Sequence, residues 1–232
     1  SATTSALARA LDDPAPAVRI AALNALGAQT DPGLRPRIVR LSKSEEGVLH
    51  IFALAALARM GQSDAVDEIA GEATLPDAEL RMAAVGALGQ LKRPSSLPIL
   101  SQSVYDPDPS VRAFAAGALG DFGNPKGEPA LLHALEDDDP RVRSVAAASL
   151  GRLKLAQSRP VLRQAARDPV DMVRVGAVEG LLRLGDPEAV LLAADLAKHP
   201  DPSVRGATAQ AVALSGNRKA FLVVESLLKD QQ

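Results

Sequence analysis

The residues best suited to chemistry in this chain of 232 residues are three histidines, a run of four acidic side chains, one glycine-rich stretch and an evenly spaced column of arginines. A metal site needs ligands that converge, as two histidines do when they flank a glutamate at helical spacing. His50, His133 and His199 lie far apart in the chain and are followed by Ile51, Ala134 and Pro200, so neither a metal nor another cofactor is expected. Glu136-Asp137-Asp138-Asp139 could collect a cation, or could form a solvated turn whose carboxylates cap the next helix. Gly120-Asp121-Phe122-Gly123 follows no strand pattern and carries no Gly-Lys-Ser/Thr, so it is not expected to cradle phosphate. No nucleophile-elbow motif is present, and the absence of cysteine removes thiolate nucleophiles, thiolate metal sites and disulfides. No catalytic set emerges from the residues.

The arginines lead to the elements that position everything else. Steps of 31 residues from Arg19 land on His50, Arg81, Arg112, Arg143, Arg174 and Arg205. Seven positions further on, the same steps give Leu26, Leu57, Leu88, Leu119, Leu150, Leu181 and Val212. Such self-similarity is the mark of a repeat architecture. The units are 13–43, 44–74, 75–105, 106–136, 137–167, 168–198 and 199–229. With residues 1–12 in front and three residues behind, they make residues 1–232 one repetitive domain.

Within a unit, apolar and small residues recur three and four apart, as in Val111, Phe114, Ala115, Ala118 and Leu119, which predicts an amphipathic helix A. Asp108-Pro109, Asp139-Pro140 and Asp201-Pro202 place a capping carboxylate before a proline in the first turn. Glycines near Gly27, Gly89, Gly120 and Gly151 are expected to end helix A. Asp31-Pro32, Asn124-Pro125 and Asp186-Pro187 are expected to start helix B. Helix B is anchored by Ile38, Ile69, Leu100, Leu131 and Leu162, and Pro36, Pro98, Pro129 and Pro160 are placed to bend its start. Ser5 to Leu11 reads as a helix B without its helix A, as in a half-repeat cap or a piece of a longer chain. The last helix, Phe221 to Leu228, is apolar enough for its outer side to be an interface. No stretch alternates with period two, so no strands are expected.

Composition narrows the function classes. The net charge is −2, and five aromatic residues with no tryptophan leave little to stack on bases, so nucleic-acid binding is not expected. No apolar run approaches the roughly 20 residues of a membrane span, so no membrane insertion is expected. The lack of cysteine suits reducing and oxidising compartments alike, leaving localisation open.

The string Asp108-Pro109-Ser110-Val111-Arg112-Ala113-Phe114-Ala115-Ala116-Gly117-Ala118-Leu119-Gly120 resembles the HEAT-like repeats of the phycobilisome-lyase type. The resemblance extends over all seven units and implies an all-α fold: an α-solenoid, a right-handed superhelix of seven 31-residue helix pairs plus the N-terminal half-repeat. It implies A helices on the convex side and B helices on the concave side. It also implies that the column Arg19, Arg81, Arg112, Arg143, Arg174 and Arg205 forms a structural ladder, with Asp13, Asp106, Asp139, Asp168 and Asp201 in register to accept. The other reading of that column is a line of cations for an anionic partner. Unit 44–74 departs most: His50 stands for arginine, Asp67 for the helix B proline, and Ser44-Glu45-Glu46-Gly47 for Asp-Pro. Deoxyhypusine hydroxylases, enzymes of similar repeats, hold iron on His-Glu pairs that this sequence lacks.

What remains is the outer face of helix B. Two columns vary while the core columns do not: Arg40, Gly71, Gln102, His133, Gln164, Asp195 and Ser226, then Lys43, Thr74, Tyr105, Glu136, Arg167, Lys198 and Lys229. The candidate partner-binding residues are Arg40, Lys43, Gln102, Tyr105, His133, Gln164, Arg167 and Lys198. Ile99, Ala130, Val161, Leu192 and Val223 form an apolar line that could be either a groove or core. The expected function is a non-enzymatic scaffold that binds a protein or peptide on the concave face or at its C-terminal end. The alternative carried by the resemblance is a bilin lyase or chromophore-handling subunit.

Overall fold

The computed structural model describes residues 2–26 and 32–229, with no strand among them. Gly27 and Asp31, named above as a helix end and a helix start, lie outside the described residues, as do the side chains of Ser226 and Lys229. The chain divides into two compact units, Ser1–Ser103 and Val104–Gln232.

The first unit holds α1 (Ala2–Ala10), α2 (Pro16–Leu26), α3 (Arg35–Ser44), α4 (Gly47–Arg59), α5 (Asp64–Glu72), α6 (Ala78–Leu91) and α7 (Leu97–Gln102). The second holds α8 (Pro109–Phe122), α9 (Glu128–Ala134), α10 (Pro140–Arg152), α11 (Arg159–Ala165), α12 (Asp171–Arg183), α13 (Ala189–Leu196), α14 (Pro202–Ser215) and α15 (Arg218–Lys229). Even-numbered helices are the A helices and odd-numbered ones the B helices. In each unit A helices stack on one another, α2 on α4 on α6 and α8 on α10 on α12 on α14, while most B helices pack against the A helices beside them and α15 packs on α13 as well as on α14. Helix α1 packs on α2 in the same manner.

The capping carboxylates act as their positions imply. Asp108, Asp139 and Asp201 accept from the backbone N–H two residues on, at 2.7 to 2.8 Å, and Asp77 does the same for α6. These satisfy N–H groups that the first helical turn leaves open. Leu26, Leu57, Leu88, Leu119, Leu150, Leu181 and Val212 are all buried, as are the B anchors Ile38, Ile69, Leu100, Leu131 and Leu162. Each such side chain contributes roughly 1.5–3 kcal/mol by leaving water.

Helix A ends near its glycines, as expected: α6, α8 and α10 run to Leu91, Phe122 and Arg152, one or two residues past Gly89, Gly120 and Gly151. Gly120 and Gly151 are also contact points. A Cβ on Gly151 would lie 2.3 Å from Gly180 Cα, and one on Gly120 would lie 2.5 Å from Ser149 Oγ, so these glycines let adjacent A helices approach closely. Helix B begins in two steps, each marked by a proline. Pro32, Pro94 and Pro125 open one turn of 3₁₀ helix, after which the α-helix begins afresh with Pro36, Pro98 and Pro129 as its second residue. There the missing N–H has no intrahelical partner to lose.

Candidate binding face

The arginine column is a ladder, but its rungs differ from those inferred from the sequence. Arg112 on α8 donates from Nε to Asp137 Oδ2 at 2.6 Å and from Nη2 to Asp137 Oδ1 at 2.8 Å. Arg143 on α10 repeats the fork on Asp168, at 2.9 and 3.2 Å. Each also donates from Nη1 into the turn before its own helix, Arg112 to Asp106 O at 2.9 Å and Arg143 to Asp137 O at 2.8 Å. Arg19, Arg81, Arg174 and Arg205 make the same bond to the carbonyls of Asp13, Leu75, Asp168 and His199. Every described ladder arginine is therefore held to a backbone carbonyl.

Asp139 and Asp201, expected as acceptors, are instead helix caps, and Asp139 also pairs with Arg141 at 2.6 Å. Asp137, the acceptor that sequence reasoning missed, lies 31 residues from Asp106 and from Asp168. That spacing is the signal that would have found it. In the next unit this position is His199. Its Nδ1 accepts the Asp201 N–H at 3.1 Å, as Asp137 Oδ1 accepts from Asp139 N–H at 2.9 Å, and its Nε2 faces Asp171 Oδ2 at 3.4 Å. Arg174, facing no carboxylate there, pairs with Asp171 on its own helix. His50 also does an arginine's work: its Nδ1 donates to Ser42 O at 2.7 Å.

The two variable columns of helix B behave differently. Arg40, Lys43, Gln102, Tyr105, His133, Gln164, Arg167 and Lys198 are all exposed, and so are Gly71, Thr74, Glu136 and Asp195. Tyr105 and His133 stack with ring centroids 4.3 Å apart and planes at 24°, although Tyr105 is 54% exposed. The apolar line next to them is no open groove: Ala130 is buried, and Ile99, Val161, Leu192 and Val223 are half-buried. Four residues earlier on the same helix face than the His133 column, Pro129, Pro160, Leu191 and Leu222 are exposed, and Leu191 reaches 74%.

A sequence profile of HEAT repeats matches residues 34–107, 102–181 and 162–232. The chain belongs to the HEAT-repeat family. No curated protein matches this HEAT-repeat chain in sequence. In structure it is similar to a chain of the complex of CpcE and CpcF of phycocyanin lyase from Nostoc sp. PCC7120, at 21% identity and a TM-score of 0.60, over 85% of this chain and 88% of that one. It is similar also to YibA of E. coli, at 18% identity and a TM-score of 0.60, over 97% and 92% of the two chains. At these identities the likeness is one of fold.

The electrostatics of this HEAT-repeat protein fit the ladder. Burial pushes the Asp137 carboxyl up, but hydrogen bonds from Arg112 and the Asp139 N–H, with the charge of Arg112, outweigh it and hold the group below its ordinary value. Asp168 is likewise raised by burial and lowered further by Arg143 and the Val170 N–H, for a net depression. The Arg141 side chain, above all, holds Asp139 down to about 2. Among the described residues no three His, Asp or Glu side chains are placed to hold a metal ion. Among them, too, no helix is long and apolar enough to cross a membrane.

The C-terminal end offers a second surface. Ala213 is exposed, whereas Ala58, Gly120, Gly151 and Leu182 at the same repeat position are buried. Phe221 is 47% exposed; at its repeat position Val66, Leu97 and Val190 are buried, Glu128 and Arg159 half-buried and Arg35 exposed.

Proposed function

We propose that this HEAT-repeat protein is a non-enzymatic scaffold that binds a protein partner on the outer face of its B helices. One observation carries the reading: the two helix B columns that vary in residue type are exposed at every described side chain, beside columns that are regular and buried. A stacked tyrosine and histidine, flanked by Arg167, Gln164 and exposed aliphatics, supplies the aromatic and arginine contacts on which interfaces concentrate their energy. The arginines that could have served an anionic partner are engaged in the ladder.

The test is capture of partners from an extract of the source organism by the tagged chain. It is run beside a variant carrying Tyr105→Ala, His133→Ala and Arg167→Glu, with both baits checked by circular dichroism. A partner retained by the parent chain and lost by the variant supports the reading. A partner held equally by both contradicts the B-face assignment.

A second reading rests on the C-terminal end. Ala213 on α14 and Phe221 on α15 are exposed small and aromatic residues, and this reading places the partner's contacts there. Loss of the captured partner on Phe221→Asp, with the triple variant unaffected, selects this reading. The fold shared with a phycocyanin lyase subunit motivates a third assay: linear tetrapyrrole added to the chain, for which the scaffold reading expects no change in absorbance.

A further inference from the structure

Between α9 and α11 the second unit opens a cleft of about 840 Å³, within the size range of ligand-binding pockets. Leu132, Leu135 and Val161 supply apolar wall, and Glu136, Gln164 and Arg167 supply polar groups. Arg163 and Asp168 also border it, but both are engaged elsewhere: Arg163 with the buried carboxylate of Asp186 at 2.9 Å, Asp168 with Arg143. Glu136 and Arg167 stand one repeat apart, in the turns that follow α9 and α11, and both are exposed. Among the described residues neither makes an ion pair. The cleft thus has apolar walls, an available anion on the α9 side and an available cation on the α11 side. Gln164 belongs both to the cleft and to the row that continues to His133 and Tyr105, so an occupant can extend out of the cleft along the face.

From this charge pattern we infer that the cleft takes a linear peptide segment of the partner protein. The segment carries one large apolar side chain, flanked on one side by a lysine or arginine that meets Glu136 and on the other by an aspartate or glutamate that meets Arg167. The apolar side chain is the anchor that leaves water, and the two charges fix the direction in which the segment lies. The inference rests on the B-face reading and gives that face a ligand sequence and a polarity.

The experiment pans a phage-displayed library of random linear peptides on the full chain and on a Glu136→Arg, Arg167→Glu double variant. Both changes are at exposed positions, and circular dichroism confirms that each bait is folded. The parent is expected to enrich peptides with a base, an apolar residue and an acid in a fixed order, and the variant to enrich the reversed order. A synthetic peptide of the parent type should bind the variant at least about tenfold more weakly, since close interfacial charge pairs couple by roughly 1.5 kcal/mol or more. Peptides that bind parent and variant equally, and are lost on Tyr105→Ala with His133→Ala, overturn the cleft assignment while the B-face reading stands. If the parent enriches no peptide, the cleft proposal is overturned, and the B-face reading is judged by partner capture alone.

Discussion

Arg112 grips Asp137 through two parallel hydrogen bonds, at 2.6 and 2.8 Å, while its remaining terminal nitrogen holds the carbonyl of Asp106. One side chain thus ties a helix to the turn that introduces it and to the corresponding turn of the next repeat. The Asp137 side chain is only 7% exposed, so the pair is shielded from solvent more than an ordinary surface ion pair. Because the fork is planar and bidentate, lysine cannot replace it. Arg112→Lys and Asp137→Asn are each expected to cost about 1–3 kcal/mol, the range for hydrogen bonds to charged groups. Urea unfolding of the two single variants and the double variant checks this. The double should cost less than the sum of the singles, and strict additivity would show that the two residues do not act as a pair.

The same pairs predict an acid response. Asp137 and Asp168 both have folded pKa values held below the unfolded value of about 3.9. Their stabilisation is therefore fully present above that value and is lost as pH falls through the depressed folded pKa values. Urea midpoints measured between pH 7 and pH 2.5 should be level at the upper end and fall below about pH 4. The fall should be shallower in an Asp137→Asn, Asp168→Asn variant, and equal slopes would assign the acid response to other groups.

The helix-packing glycines separate into two kinds. A Cβ at Gly151 would meet the Gly180 backbone at 2.3 Å, where nothing can yield, whereas at Gly117 the nearest atom is Val145 Cγ1 at an ordinary 3.5 Å. Gly151→Ala is expected to destabilise by about 1–3 kcal/mol through overpacking. Gly117→Ala, inside α8, should stabilise by up to about 1 kcal/mol, since it removes the entropy cost of glycine in a helix. Thermal or urea denaturation of the pair decides, and destabilisation by both would contradict the packing described for α8 and α10.

The spacing of residues revealed the repeat because each unit solves the same burial problem with the same columns. The leucines seven positions after the arginines are buried in every unit where the sequence places them. Helix starts were legible too, since Asp-Pro encodes a cap by local chemistry. Helix ends were legible to within two residues, but the packing role of Gly120 and Gly151 was not, because it is set by Ser149 and Gly180 on neighbouring helices. The acceptor of Arg112 was misread for a similar reason. Asp137 and Asp139 stand in one acidic run, and only the geometry of the turn separates the carboxylate that meets the arginine from the one that caps α10. On the candidate binding face, side-chain exposure followed from the columns, while the Tyr105 and His133 stack and the cleft between α9 and α11 depend on how the B helices are placed.

The C-terminal end allows a separate check. Phe221→Asp removes a side chain that is 47% exposed, so it should cost up to about 2 kcal/mol of apolar burial, and circular dichroism of the variant checks that the chain stays folded. On the leading reading, capture of the B-face partner is unchanged by it. A partner lost with this substitution alone moves the interface to the end of the repeat array.

The most direct test of the scaffold account is titration calorimetry of the captured partner against three forms of the chain. They are the parent, the Tyr105→Ala, His133→Ala, Arg167→Glu variant, and a Phe114→Ala control whose side chain is exposed on the A helix α8. The account predicts a Kd at least about tenfold weaker for the B-face variant, the loss of roughly 1.4 kcal/mol or more expected when interface anchors are truncated, and no change for the control. An unchanged Kd for the B-face variant, or equal weakening in both, would contradict it.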